Sequence, residues 1–162
     1  MTTCVFPGSF DPVTIGHLNL ISRASRLFDQ VTVTLMVNIH KKSAIPAEKR
    51  IELLKEACRP YGNVIVDSWD GLLADYMQKK KEHIVLRGLR GPAELENEIP
   101  SAAANKMLND GIETIFLLTD PSLSGVSSSA VREIAAFGGD ISAFVPQGLT
   151  EEITGLLLND PA

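Results

Sequence analysis

Apolar positions along this chain recur with two different periods, and the periods alternate. Residues 3–7, Thr-Cys-Val-Phe-Pro, are a short apolar run ended by Pro-Gly, which predicts a strand. Over residues 16–28 the apolar Leu18, Ile21, Ala24, Leu27 and Phe28 return at helical spacing. Residues 31–37, Val-Thr-Val-Thr-Leu-Met-Val, are β-branched and nearly continuous in apolar character, as a buried parallel strand should be. A helix is expected over 47–58, with Ile51, Leu54 and Ala57 or Cys58 inward. A strand over 64–66 follows, then a helix over 72–80 whose basic end suits its dipole, and a strand over 84–86. Residues 92–108 predict a helix opened by Pro92, and 114–118 a fifth strand. Residues 127–137 predict a helix stopped by Gly138-Gly139, and 149–158 a last helix.

Strands separated by helices imply right-handed βαβ crossovers. The expectation is an α/β fold with one doubly wound, five-stranded parallel sheet. No linker, repeat or low-complexity stretch divides the chain, so a single domain is expected over residues 1–162. Ligands of such sheets bind beyond the C-terminal ends of the strands, where the strand order reverses. Candidate chemistry should therefore lie just after strands.

Composition narrows the function classes. With 44% hydrophobic and 22% charged residues the chain reads as globular. A net charge of −5 argues against nucleic acid as a partner but leaves room for a small anion, which needs only a few local cations. No apolar run reaches the roughly 18 residues of a membrane span, and the N-terminus has no signal-peptide pattern; no membrane partner and a cytoplasmic location are expected. Cys4 and Cys58 form no C-x-x-C pair and are expected as buried free thiols; His17, His40 and His83 lack metal-ligand spacing, so no protein-built metal site is expected. Neither G-x-x-x-x-G-K-[ST] nor G-x-G-x-x-G is present, which removes support from kinase and dehydrogenase readings.

Four strings follow predicted strands. In Pro7-Gly8-Ser9-Phe10-Asp11-Pro12-Val13-Thr14-Ile15-Gly16-His17 a Gly-containing loop enters a helix, whose first N–H groups suit a phosphate, with His17 beside it. On spacing alone, a plain strand-to-helix turn fits as well. Arg87-Gly88-Leu89-Arg90, directly after the fourth strand, offers two guanidinium groups for phosphate oxygens, although an isolated R-x-x-R is more often a solvated turn. Gly125-Val126-Ser127-Ser128-Ser129 opens a helix with hydroxyls that serve as caps or as phosphate donors. His40-Lys41-Lys42 follows the second strand, where lysines are usually surface residues.

Thr14-Ile15-Gly16-His17 resembles the T/H-x-G-H signature of the nucleotidyltransferase superfamily. The four strings together, alignable without a gap from Pro7 to Pro146, resemble the bacterial phosphopantetheine adenylyltransferases. The resemblance implies a Rossmann-like nucleotidyltransferase fold and adenylyl transfer from ATP to 4′-phosphopantetheine, giving dephospho-coenzyme A and pyrophosphate in coenzyme A biosynthesis. It implies direct in-line attack, for which the protein supplies alignment and charge stabilisation rather than a strong base. His17, Lys41, Arg87 and Arg90 are the catalytic set it implies. His17 stabilises charge on the α-phosphate, Lys41 and Arg87 hold the acceptor phosphate, and Ser9 and Phe10 lie along the nucleotide and acceptor phosphates. Gly88, Leu89, Arg90, Glu98, Leu123, Ser124, Gly125, Val126, Ser127, Ser128 and Ser129 contact ATP, and Leu73 lines the pantetheine arm. Mg²⁺ is expected with ATP, held chiefly by phosphate oxygens and water. A homohexamer, and coenzyme A as a feedback ligand, are also implied. Two other readings stay open: transfer to a different phosphorylated acceptor within the superfamily, and a nucleotide-binding regulatory domain without turnover.

The sequence departs from the family pattern in one region. Leu95 and Asn97 stand where aromatics are usual, as do Leu123 and Gly125 before the serine string. Pro100 falls inside an expected helix, where it costs about 3 kcal/mol and predicts a kink or a restart. These changes are expected to alter the adenine and pantetheine pockets and to leave the phosphate-handling residues intact.

Overall fold

The computed structural model describes residues 1–159; the last three residues of the single domain expected over 1–162 lie outside the described residues. Five strands, β1 (Thr3–Gly8), β2 (Gln30–Met36), β3 (Val64–Trp69), β4 (Ile84–Leu89) and β5 (Glu113–Leu118), form one parallel sheet in the order β3-β2-β1-β4-β5. Helices α1 (Ile15–Leu27), α2 (Ala47–Cys58), α3 (Leu73–Lys80) and α4 (Pro92–Leu108) connect successive strands, and α5 (Ser128–Ala136) and α6 (Thr150–Leu158) follow the last one.

Strand alternation sends side chains to two cores. Cys4, Phe6, Val31, Val33, Leu35 and Leu86 join the larger core with α1, α2, α5 and α6. Val5 and Val85 point the other way, onto Ala74, Tyr76 and Met77 of α3 and Ile112. Helices therefore cover both faces of the sheet, as the doubly wound expectation requires. Each fully buried Leu, Ile or Val contributes about 1.5–3 kcal/mol, and this burial rather than local propensity fixes the helices against the sheet.

The strand order reverses between β1 and β4. The chain steps outward from β1 through β2 to β3, then crosses back to β4 and on to β5. β1 pairs with β4 at Val5 and Val85. Two residues further on, Arg87 Nη1 donates to the Pro7 carbonyl at 2.9 Å, so a side chain takes up a carbonyl at the mouth of the sheet.

Three expectations need correction. Leu27 is 65% exposed and does not belong to the inward face of α1. β4 runs through Leu89, paired with Leu118, so Arg87, Gly88 and Leu89 are strand residues and only Arg90 lies in the loop beyond. The continuing ladder with β5 outweighs their broken apolar pattern. α4 passes through Pro100 without ending or restarting. Pro100 and Glu96 are both exposed, so the carbonyl left without an amide partner by the proline ring is open to water.

Candidate active site

A cleft of about 780 Å³ opens at the reversal point, beyond the C-terminal ends of β1 and β4. It is lined by Ser9, Phe10, His17, Lys41, Arg87, Gly88, Arg90, Glu98, Val126, Ser127, Ser128 and Ser129, which brings most of the expected residues together from four separate strings. Leu73 lines an adjoining cavity of about 380 Å³, bounded on α4 by Glu98, Ser101, Ala102 and Asn105. Leu89, which is 5% exposed, and Leu123, Ser124 and Gly125 are not in the lining of either cavity.

His17 occupies the third position of α1. Thr14 caps the helix, accepting from the His17 N–H, while the Thr14 N–H donates to His17 Nδ1 at 3.0 Å. This is a capping box with histidine in the place usually held by Glu or Gln. A backbone N–H can only donate, so Nδ1 is unprotonated and the ring proton sits on Nε2. Burial pushes the imidazole down to about 4, and the nearby Arg90 and Arg87 push in the same direction. His17 is thus a neutral donor at physiological pH. The Phe10 ring packs edge-on against it, with centroids 4.9 Å apart. Phe10 itself is 1% exposed and has φ +45°, so its side chain belongs to the core while its backbone shapes the turn.

Both arginines are held by glutamates of α4. Arg87 donates from Nε and Nη2 to the two carboxylate oxygens of Glu98 at 2.8 and 2.7 Å. Arg90 donates from its side chain and its backbone N–H to Glu94, and from Nη1 to the Val126 carbonyl at 3.2 Å. Burial would raise the Glu94 carboxyl, but hydrogen bonds and charge from Arg90 hold it below the usual carboxylate range. Glu94 and Glu98 are one helical turn apart, so a single face of α4 orients both cations. The guanidinium groups keep unused N–H donors, since each carries five.

The N-terminus of α5 also lines the cleft. Ser127 accepts from the Ala130 N–H, and Ser129 accepts from Arg132 Nη2 at 3.2 Å, so both hydroxyls retain a proton to donate. Ser128 instead donates its hydroxyl proton to the Pro12 carbonyl at 2.7 Å. The N–H groups of Ser128 and Ser129, in the first turn, have no intrahelical partner and suit an anion.

Asp11 and Thr14, which stand in the first string, and Arg50, Glu94 and Arg132 also line the cleft, with no individual role assigned to them from sequence. The T-x-x-H spacing and the four-residue step from Arg90 to Glu94 were available signals. Arg50 lies in a helical pattern without any. The cleft carboxylates are all engaged: Glu94 and Glu98 by arginines, Asp11 by the Ala44 and Ile45 N–H groups. Among the described residues no group of three or more His, Cys, Asp or Glu could hold a metal ion. No helix there is long and apolar enough to cross a membrane. Cys4 and Cys58 are free and buried, and burial raises their thiols to about 12 and about 11.

Residues 5–134 match the family model described as cytidylyltransferase-like. The chain is 42% identical over 153 residues to a phosphopantetheine adenylyltransferase of Clostridium perfringens, covering 94% of this chain and 93% of the relative. It is 45% identical over 150 residues to one from Gloeothece citriformis, covering 93% and 96%. Among solved structures it is similar to a Plasmodium falciparum nicotinic acid mononucleotide adenylyltransferase complexed with NaAD. That match has a TM-score of 0.68 and 14% identity, and covers 93% of each chain. At that identity the likeness concerns the fold alone.

Proposed function

The chain belongs to the cytidylyltransferase-like family and, within it, to the phosphopantetheine adenylyltransferases, and we propose that its cleft transfers the adenylyl group of ATP to 4′-phosphopantetheine. The products are dephospho-coenzyme A and pyrophosphate, in coenzyme A biosynthesis. The observation that carries the residue-level reading is His17, its Nδ1 occupied by the Thr14 N–H, sharing one cleft with Arg87, Arg90 and the N-terminus of α5, in which the carboxylates are all engaged.

In this reading an ionised oxygen of the acceptor phosphate attacks the α-phosphorus of ATP. The bond to the bridging oxygen breaks in line, and pyrophosphate leaves. The nucleophile is already anionic, so no general base is needed. His17 Nε2–H donates to an α-phosphate oxygen as charge builds on it, which is the kind of donor that stabilises developing charge. Lys41 and Arg87 hold the acceptor phosphate beside Ser9. Arg90, Ser127, Ser129 and the first N–H groups of α5 hold the ATP phosphates. Gly88 contacts the nucleotide at the sheet end. Glu98 acts through Arg87. The adjoining cavity beside Leu73 takes the pantetheine arm, and Ser101, Ala102 and Asn105 give it a wall of small or polar groups. Mg²⁺ brought in with ATP would be held chiefly by phosphate oxygens and water, since the carboxylates of the cleft are engaged, and would offset phosphate charge.

We also propose that residues 1–162 act as one catalytic domain in a cytoplasmic homohexamer, with coenzyme A as a product-like ligand. The supporting observation for assembly is α4, a helix of 17 residues with none buried, which leaves Ile99, Met107 and Leu108 exposed.

Pyrophosphate release measured with ATP and, in turn, 4′-phosphopantetheine, nicotinate mononucleotide and glycerol phosphate tests the acceptor. Release with the first alone is expected; release with another acceptor and not the first contradicts the reading.

A further inference from the structure

Asp11 is a carboxylate 7% exposed in a cleft that handles anions, and nothing in the reaction above uses it. Its oxygens accept from the Ala44 and Ile45 N–H groups, both at 2.8 Å, across 33 and 34 residues of sequence. Arg50 is equally out of place. It lies on the inward face of α2 with Leu53, Leu54, Ala57 and Cys58, and is 4% exposed. Its Nη1 donates to the Ser9 carbonyl at 2.7 Å and its Nη2 to Ser43 Oγ at 3.0 Å, while its Nε is buried with no hydrogen-bond partner among the described residues. An orphaned buried donor costs about 1–3 kcal/mol, and a buried carboxylate must also be compensated, so packing alone does not account for either group.

The two share a geometry. Both run from the turn at Ser9 to Asp11 to the segment at 43–45, just after Lys41. Within that segment Lys41 N–H donates to the Asn38 carbonyl and His40 N–H to Asn38 Oδ1, a local turn that does not itself fix the segment against the sheet. Asp11 and Arg50 tie it to the turn at the end of β1.

We propose that Asp11 and Arg50 are positioning residues that buckle the Lys41 segment to the Ser9 turn and so set the spacing at which Lys41 and Ser9 meet the acceptor phosphate. The inference rests on the acceptor roles given above to Lys41 and Ser9. Asp11→Asn keeps one acceptor oxygen where two are needed. Ser43→Ala removes a single hydroxyl at the far end of Arg50.

The test is a set of steady-state measurements on Asp11→Asn, Arg50→Lys and Ser43→Ala, each alone and combined with Lys41→Ala. Thermal melting and ATP affinity are measured alongside. Asp11→Asn and Ser43→Ala are expected to raise the KM for 4′-phosphopantetheine by about 5–10-fold, with ATP affinity changed less than about 2-fold, and to add less than about 2-fold to Lys41→Ala, because residues acting through one group are not additive. Equal loss of affinity for both substrates, or the full effect persisting without the Lys41 side chain, means a merely structural role and overturns the proposal. So does an unchanged acceptor KM in all three variants. Ser43→Ala decides the matter if Asp11→Asn does not fold. If Lys41→Ala itself leaves the acceptor KM unchanged, the role of Lys41 falls and this proposal with it. A KM that depends on Lys41 but ignores the three variants overturns this proposal alone.

Discussion

The Thr14 backbone N–H donates to His17 Nδ1 at 3.0 Å, and this bond decides which imidazole nitrogen carries the proton. Nε2–H is left to face the cleft. Replacing His17 by Ala removes one donor to the α-phosphate, for which about 2.7–4 kcal/mol, or a 10²- to 10³-fold fall in kcat, is expected. The KM values should move much less. Rapid-quench turnover of His17→Ala checks this, and His17→Gln should recover part of the rate by returning a neutral N–H donor.

The His17 imidazole is held at about 4 against an ordinary 6.5, by burial first and then by Arg90 and Arg87. Turnover should therefore show no step attributable to His17 between about pH 6 and pH 8. Stability has the opposite sensitivity. Between 6.5 and about 4 the unfolded chain binds this proton and the folded chain does not, so stability rises with pH across that window. The contribution is fully present above 6.5 and is lost as pH falls toward 4. The melting temperature of the wild type should fall relative to that of His17→Gln as the buffer is taken down through this range.

Glu98 holds Arg87 through both carboxylate oxygens. Glu98→Gln keeps the size and removes the charge together with one acceptor. Charge-assisted hydrogen bonds contribute about 1.5–3 kcal/mol, so an increase of about 10-fold or more in the acceptor KM is expected. An unchanged KM in steady-state assays removes Glu98 from the account.

Gly88 lies where the sheet meets α1. A Cβ there would sit 2.2 Å from Leu20 Cδ1, and Leu20 is 5% exposed in the larger core. Leu20 must shift to admit it. Gly88→Ala should cost about 1–3 kcal/mol, the usual range for overpacking, read from urea unfolding. A Leu20→Ala background should restore part of it.

Apolar periodicity, punctuated by Pro and Gly, placed the five strands and the six α-helices of the described residues, because most of their apolar faces are the ones that bury. It stopped β4 at Leu86, since Arg87-Gly88-Leu89 breaks the apolar pattern and only pairing with Phe116 to Leu118 reveals the strand. A kink or a restart was expected at Pro100; the helix does not restart there, and the ring lies on an exposed face where the lost bond is open to solvent. In the cleft, the lining residues that were legible as candidates stand in compact strings. The roles of Asp11, Arg50 and Arg132 were not legible, because their partners are distant in sequence: Arg132 Nη1 reaches the Asp11 carbonyl across 121 residues. Such roles exist only once the sheet has assembled.

Exchange of labelled pyrophosphate into ATP probes adenylyl transfer to 4′-phosphopantetheine without an intermediate step, because it reports both the acceptor and the direct transfer. With 4′-phosphopantetheine present, label should enter ATP as dephospho-coenzyme A forms and reverts; with the acceptor left out, none should enter. Exchange without acceptor would mean an adenylyl-enzyme, and no exchange with 4′-phosphopantetheine would mean that the cleft serves a different acceptor.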